Sequence, residues 1–347
     1  MKQLITGIQQ VGIGVSNSCE AKSLYRDVFG MNILIFDDKA SAELMSCYTG
    51  KEIHQRHAIL SMNLAGGGGF EIWQFTSRKP ESYNAQFGDI GIFSVKIKCH
   101  EVETAQNHFK KNKNVCTSDL MKSPSGKTHF WVKDLNENYF NIAESDHWFK
   151  KNNCITGGVY GAVIGVSDME TSLQFYKNLL GIDEIVYDVT SSFTDVPHKA
   201  ENIFRRVLLR KKKSLEGAFT NLLGDVEIEL VQIINKDCNK IFQNRYWGDC
   251  GFIHLCFDVI DMDELKKLSE NLGYNFTVDS KNSYAMETAE GRFCYVEDPD
   301  GTLIELVETH KVPVLKKLGI YINLKNRKNK KPLPRWMVNC LGLSKVK

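Results

Sequence analysis

A chain of 347 residues is too long for one average hydrophobic core and suits two domains. Its 42% hydrophobic and 25% charged residues exclude a disordered chain, and no run of about 18 apolar residues suggests a membrane span. The net charge of +2 divides unevenly: from Lys311 onward there are eleven Lys and Arg and no Asp or Glu, leaving 33 basic against 42 acidic side chains before it, a balance that argues against uniform nucleic-acid binding by the body.

Residues 1–5 lead straight into a strand-like run without the apolar stretch of a signal peptide, so a cytoplasmic location is expected. Ten cysteines, spread from Cys19 to Cys340 with no CxxC pair, fit reduced thiols better than a disulfide framework or a zinc cluster. After the first strand, Asn17 is placed to cap a helix that ends at Gly30. Alternating strands are expected at 57–63 and 70–76, with the Gly66–Gly69 run as a hairpin turn, since no helix follows it to make a phosphate loop. A second unit opens at Gly91-Ile-Phe-Ser-Val-Lys-Ile, continues with a helix over 102–111 and closes with a hairpin over 130–141.

Beyond a linker near 145–158, the first unit returns. Gly12-Ile-Gly-Val-Ser-Asn17 reappears as Val163-Ile-Gly-Val-Ser-Asp168, and Leu24-Tyr-Arg-Asp-Val-Phe-Gly30 as Phe175-Tyr-Lys-Asn-Leu-Leu-Gly181, without a gap at an offset of 151. Leu173, Tyr176 and Leu180 keep helical spacing, and strands are expected at 219–223 and 226–233. A fourth unit opens at Gly251-Phe-Ile-His-Leu-Cys-Phe, has a helix over 262–272, and closes with a hairpin over 293–305 turning at Asp298-Pro-Asp-Gly301. The chain therefore reads as an internal duplication: a first half at 1–148, a second at 156–310, and a basic extension at 311–347. The extension mixes apolar residues with Lys316, Lys317 and the basic run 325–331. Docking on the acidic body is expected, with Trp336, Met337 and Leu341 as anchors, in preference to a membrane contact.

The order strand, helix, three strands, four times over, with the Leu/Phe-Tyr-x-x-x-x-Gly helix end and the Asp-Pro-Asp-Gly-x-x-Ile-Glu hairpin, resembles the vicinal oxygen chelate superfamily of glyoxalases, bleomycin-resistance proteins and extradiol dioxygenases. The resemblance covers residues 5–310 and implies an α+β fold of four βαβββ modules paired into two cupped half-barrels. It also implies inward-facing metal ligands on the first and last strand of each module. These positions are Gln10, Ser94, Gly161 and His254 on first strands, and Glu71, Asn141, Glu229 and Glu305 on last strands. Their separations of 61, 47, 68 and 51 residues make modules one and three alike, and two and four alike.

If sequence neighbours share a cup, one cup holds Gln10, Glu71, Ser94 and Asn141, and the other Gly161, Glu229, His254 and Glu305. If module one pairs with module four, a single cup collects Gln10, Glu71, His254 and Glu305, the set that glyoxalase I relatives use, and the remaining cup is empty. The outer pairing is favoured, as one complete site and one dead site are simpler than two damaged ones. The set suits one divalent ion with open water positions, Zn, Ni, Co, Mn or Fe.

The function implied is a metal-dependent lyase, isomerase or epimerase of glyoxalase type. It would act beside a carbonyl through a metal-chelated enediolate on a small substrate with vicinal oxygens, with Glu305 or Glu71 as general base. The alternatives are a non-catalytic binding protein of the resistance kind and an extradiol-type dioxygenase, the latter disfavoured by a single histidine. No nucleic-acid or membrane partner is expected, and the chain would act as a monomer or homodimer. Trp73 and Phe75 are either pocket wall or core. The run Arg205-Arg-Val-Leu-Leu-Arg-Lys-Lys-Lys213 reads as a solvated strand and turn rather than an anion site, and His54 and His57 beside Arg56 have no assigned role.

Overall fold

Four times along the chain a long apolar strand runs into a capped helix and then into antiparallel strands. The computed structural model describes residues 3–150, 154–197, 201–281, 284–286, 289–315, 320–325 and 330–346; at 284–286, 289, 313–315 and 320 it describes the backbone alone. The first module comprises β1 (Ile5–Gly14), α1 (Ser18–Phe29), β2 (Ile33–Ser41), β3 (Gln55–Met62) and β4 (Gly69–Phe75). The second comprises β5 (Gly91–Cys99), α2 (Val102–Lys110), the short β6 (Val115–Thr117) and β7 (Met121–Lys122), β8 (Thr128–Asp134) and β9 (Tyr139–Glu144). The third has β10 (Thr156–Gly165), α3 (Met169–Asn178), β11 (Glu184–Ser191), β12 (Phe204–Lys211), the single turn α4 (Thr220–Leu223) and β13 (Val226–Ile233). The fourth has β14 (Gly251–Val259), α5 (Met262–Asn271), β15 (Phe276–Asp279), β16 (Tyr284–Met286), β17 (Ala289–Glu297) and β18 (Leu303–Leu315), followed by β19 (Ile320–Asn323) and α6 (Arg335–Asn339).

The helix starts follow from the expected caps. The Asn17 side chain accepts from the amides of Cys19 and Glu20, and that of Asp168 from Thr171. Gly30 ends α1 in the left-handed region, at φ 66°.

The sheets unite modules that are distant in sequence. One sheet runs β15-β17-β18-β14-β1-β4-β3-β2, with β16 on β17 and β19 on β18; the other runs β11-β12-β13-β10-β5-β9-β8-β6, with β7 on β8. β1 lies antiparallel to β14, and β5 antiparallel to β10, so module one shares a cup with module four and module two with module three. The central strands carry a helix layer on one face and a cup on the other. Hence they are apolar almost throughout, all ten residues of β10 being buried.

The helix layer ties each odd module to the even module that follows it. Phe29 of α1 packs 4.5 Å from Phe140 and 5.1 Å from Phe109, ring centre to ring centre. The Tyr25 hydroxyl donates to Asp134 at 2.7 Å, and its repeat partner Tyr176 donates to Asp298 at 3.0 Å. Both aspartates sit at hairpin turns and also accept backbone amides there, from Asn136 and Asn138 and from Asp300 and Thr302. The tyrosine of one repeated motif is thus bound to the aspartate of the other. Between modules one and three, the glycine turn after β3 is held by Gly67 N–H to Leu222 O and Gly68 N–H to Val159 O, both 2.7 Å.

Two expectations are corrected. The stretch 219–223 is no strand but the helical turn α4 with Phe219 as its N-cap; the strand preceding β13 is β12, formed by the basic run around Arg205. Leu333, Val338 and Leu341 anchor the extension in the apolar cluster of Ile33, Met62, Leu222 and Val312, whereas Trp336 is 63% exposed. Lys316, Lys317 and most of the run 325–331 lie outside the described residues. Among the described residues no helix is long and apolar enough to cross a membrane.

The seam between modules one and four contains a buried acid. Asp258 of β14 faces Gly7 of β1 across the ladder and accepts the Thr6 hydroxyl. Burial raises its pKa to about 7, against the opposing effect of hydrogen bonds from Thr6 and Gln9. Its unfolded value is about 3.9. The contribution from this group is therefore complete below about pH 4. It declines as pH rises toward 7 and then levels, at about 1.4 kcal/mol per unit of displacement. Denaturation of wild type and Asp258→Asn between pH 4 and 8 should show a decline specific to wild type, and parallel profiles would contradict it.

Candidate metal centre

The pairing of β1 with β14 places residues 10, 71, 254 and 305 on one concave face. Gly12 lies opposite His254 in the ladder, and β4 runs parallel to β1 with Glu71 beside Gly12. A Cβ on Gly12 would stand 2.4 Å from His254 Cε1 and 2.6 Å from Nε2. The absence of a side chain at position 12 is what lets the imidazole lie across β1. β18 runs parallel to β14 and brings Glu305 alongside, opposite Cys256.

The donor atoms converge. His254 Nε2 is 3.1 Å from Glu71 Oε2 and 3.2 Å from Glu305 Oε2. One ligand atom from each of the three residues fits within 4.8 Å, as a shared cation requires. The Gln10 amide reaches both carboxylates, Nε2 lying 3.1 Å from Glu71 and 3.3 Å from Glu305. Turning that amide over exchanges its nitrogen and oxygen and leaves the oxygen facing the same point. His254 is fully buried, and its Nε2 makes no well-directed hydrogen bond despite the two nearby carboxylates. A buried nitrogen aimed between two carboxylates without directional partners suits a metal ligand.

Electrostatics hold His254 and Glu305 charged. Burial works against a charged His254, but Glu305 first and Glu71 next outweigh it and bring its pKa up to about 9. Burial likewise opposes ionisation of Glu305, yet His254 holds its carboxyl below the ordinary range. On the far side of the ring, Nδ1 is 3.2 Å from the Tyr295 hydroxyl, a contact that fixes ring orientation. Trp247 lies parallel to the imidazole with ring centres 6.3 Å apart.

Glu71 and Glu305 line a cavity of about 560 Å³, walled by Trp73, Trp247, Phe293 and Tyr295. Arg56 and Asp38 form its polar side. Arg56 Nη1 is 2.8 Å from the Asp38 carboxylate, and the guanidinium lies 5.3 Å from the centre of the Trp73 ring. Trp73 is thus pocket wall, while Phe75 is core with 1% exposure.

Comparison with known proteins agrees with this architecture. Residues 162–295 match the family model described as glyoxalase/bleomycin resistance protein/dioxygenase superfamily. The match spans most of modules three and four. No curated protein matches it by sequence. In fold it is similar to a candidate dioxygenase from Bacillus subtilis, at 13% identity over 88% of this chain and 86% of that one, with a TM-score of 0.56. It is also similar to glyoxalase I from Zea mays, at 12% identity over 87% and 92% of the two chains, with a TM-score of 0.52.

The other cup is sealed by charge. Ser94, Asn141, Gly161 and Glu229 occupy the positions expected from the sequence, but the cup is filled rather than empty. Arg206 Nη2 lies 2.6 Å from Glu229 and Nη1 2.7 Å from Asp195, while Lys96 is 3.1 Å from Glu229 and 3.4 Å from Glu227. Burial opposes ionisation of Glu229, yet Arg206 and then Lys96 lower its pKa to about 2. Gly161 leaves room for this arrangement, since a Cβ there would lie 3.0 Å from Lys96 Cδ. Asn141 bonds His129 at 2.7 Å, and the Ser94 hydroxyl donates to Val95 O at 3.3 Å. A cavity of only about 20 Å³ remains.

Arg206, read from the sequence as part of a solvated strand, is 2% exposed and central to this network. Arg56, Trp247 and Tyr295 were not singled out either. Alternation along β3 carries Arg56 to the face of Leu60, which pairs with Glu71, and that signal was available. Cations of the chain itself balance Glu229, so Arg206→Met should destabilise the fold by about 3–5 kcal/mol. Bound metal should be unchanged. Loss of metal from purified Arg206→Met would contradict the separation of the two cups.

Proposed function

We propose that the chain is a metal-dependent enzyme of glyoxalase type that moves a proton beside a carbonyl, as a lyase, isomerase or epimerase. The observation that supports this most is the convergence of Gln10, Glu71, His254 and Glu305 at the cavity of about 560 Å³. These four residues would hold one divalent ion, through two carboxylates, an imidazole and an amide oxygen. A bound ion supplies Lewis acidity toward a pair of adjacent substrate oxygens. With one imidazole and two carboxylates, the set differs from the two-histidine, one-carboxylate triad of non-haem oxygenases.

The chain supplies the remaining parts. Both carboxylates face the cavity, and either is placed to take a proton from a carbon held there. Each carboxylate meets the same two partners, the Gln10 amide and His254 Nε2, so Glu71 and Glu305 are equivalent candidates for general base and for permanent ligand. Trp73, Trp247 and Phe293 give the cavity an apolar wall, and Arg56 offers a polar contact that would orient the substrate.

Two measurements test this reading. His254→Ala and Glu305→Gln should each lose most divalent metal by elemental analysis. Glu71→Gln should bind it at least tenfold more weakly, and Glu229→Gln should match wild type. In deuterated water, metal-loaded protein should exchange the hydrogen beside the carbonyl in at least one member of a panel of 2-oxo acids, thioesters and hemithioacetals. Glu71→Gln should slow that exchange by about 10²–10⁴-fold. Full metal content in the His254 and Glu305 variants, or no exchange across the panel, would overturn the reading.

A further inference from the structure

The cup does not end at the metal centre. Along three of its strands the lining changes from polar to apolar on the same face. On β2 Asp38 lines the large cavity and Phe36 a second, smaller one; on β3 the change is from Arg56 to Leu60, and on β18 from Glu305 to Val307. The second cavity has a volume of about 100 Å³, and Gln10, whose amide bonds Glu71 and Glu305, forms part of its wall. Gln10 therefore touches both this largely apolar space and the ligand set. Leu223 of α4 and Leu341 of the C-terminal extension cover it.

The extension is fixed in place. Leu34 N–H donates to Ser344 O at 2.8 Å and Val346 N–H to Asn32 O at 2.9 Å, continuing the sheet beyond β2. Leu333 N–H donates to Ala218 O at 2.9 Å, and Gly217 N–H to Lys330 O at 2.7 Å. Leu341, 8% exposed, is held over the cavity by backbone bonds on both sides of it in sequence. Apolar side chains make up most of the lining, with Gln9, Gln10, Glu290 and Thr309 at its edge, and such a surface favours a hydrocarbon group.

We propose that this space receives a short apolar substituent of the substrate, and that the C-terminal extension sets its permitted size. The inference rests on the metal reading above. The substrate class is then a small molecule with two adjacent oxygens at one end and a short alkyl chain next to them. Its oxygens lie at Glu71, His254 and Glu305, and its chain passes Gln10 toward Leu60, Val307 and Leu341.

Hydroxamates test this, because they present two adjacent oxygens and their chains can be varied. Calorimetry on the metal-loaded full chain should find hexanohydroxamate at least tenfold tighter than acetohydroxamate. In Leu341→Trp the two should bind alike, and in Leu341→Ala the preference should extend to octanohydroxamate. Equal affinities in wild type, with acetohydroxamate bound, would overturn this inference alone. So would a chain-length preference that neither Leu341 variant alters. Absence of acetohydroxamate binding by the wild type would overturn the metal reading and this inference with it.

Discussion

The ladder between β1 and β14 is the constraint on which the site depends. It joins segments some 240 residues apart and places Gly12 against His254, so that an imidazole fills the space a side chain would take. Closing so long a loop costs entropy that grows only logarithmically with length. The cost is offset by burial of β1 and β14 on both faces. β4 and β18 flank the seam in parallel and carry one carboxylate each toward the same point. A one-residue slip of this ladder would send the ligands to the opposite face.

That seam links the ends of the repeat, while the helix layer links its neighbours. Tyr25 to Asp134 and Tyr176 to Asp298 are the same contact made twice, one in each half. Every module is therefore bound to one partner through a sheet and to another through a helix. Duplication left two cups, and they solve the problem of buried carboxylates differently. One leaves Glu71 and Glu305 with a single imidazole and a glutamine between them. The other balances Glu229 and Asp195 with Arg206 and Lys96 and closes its interior. Buried carboxylates need a compensating cation, and only the first cup has space for one from outside.

Much of this was legible in the sequence because it rests on spacing. The 151-residue offset, the Asn17 and Asp168 caps and the Asp298-Pro-Asp-Gly301 turn located the modules, while positions 10, 71, 254 and 305 were implied by the superfamily resemblance, with matched separations supporting the register. The outer pairing could be favoured only by weighing ligand sets, since strand partners leave no local signature; the ladder itself is a tertiary fact. The errors have local causes. Residues 219–223 have strand-like composition, but Gly224 and the packing of Leu222 and Leu223 against the extension turn them into α4. Arg206 follows Arg205 in a segment that ends in four more basic residues and reads as surface. Its burial depends on Glu229 and Asp195, partners found only in the folded chain. Trp336 reads as an anchor by its size, yet the backbone turns it outward and buries Val338 instead.

The central claim is that one cation joins the two ends of the chain in one cup and that the chain's own cations serve the other. Crystals of the full chain soaked in manganese and measured for anomalous scattering test it most directly. The account predicts one strong peak within bonding distance of Glu71, His254 and Glu305, and no peak between Glu229 and Asp195, where Arg206 lies. A peak in the second cup, or none beside His254 at saturating manganese, would contradict it.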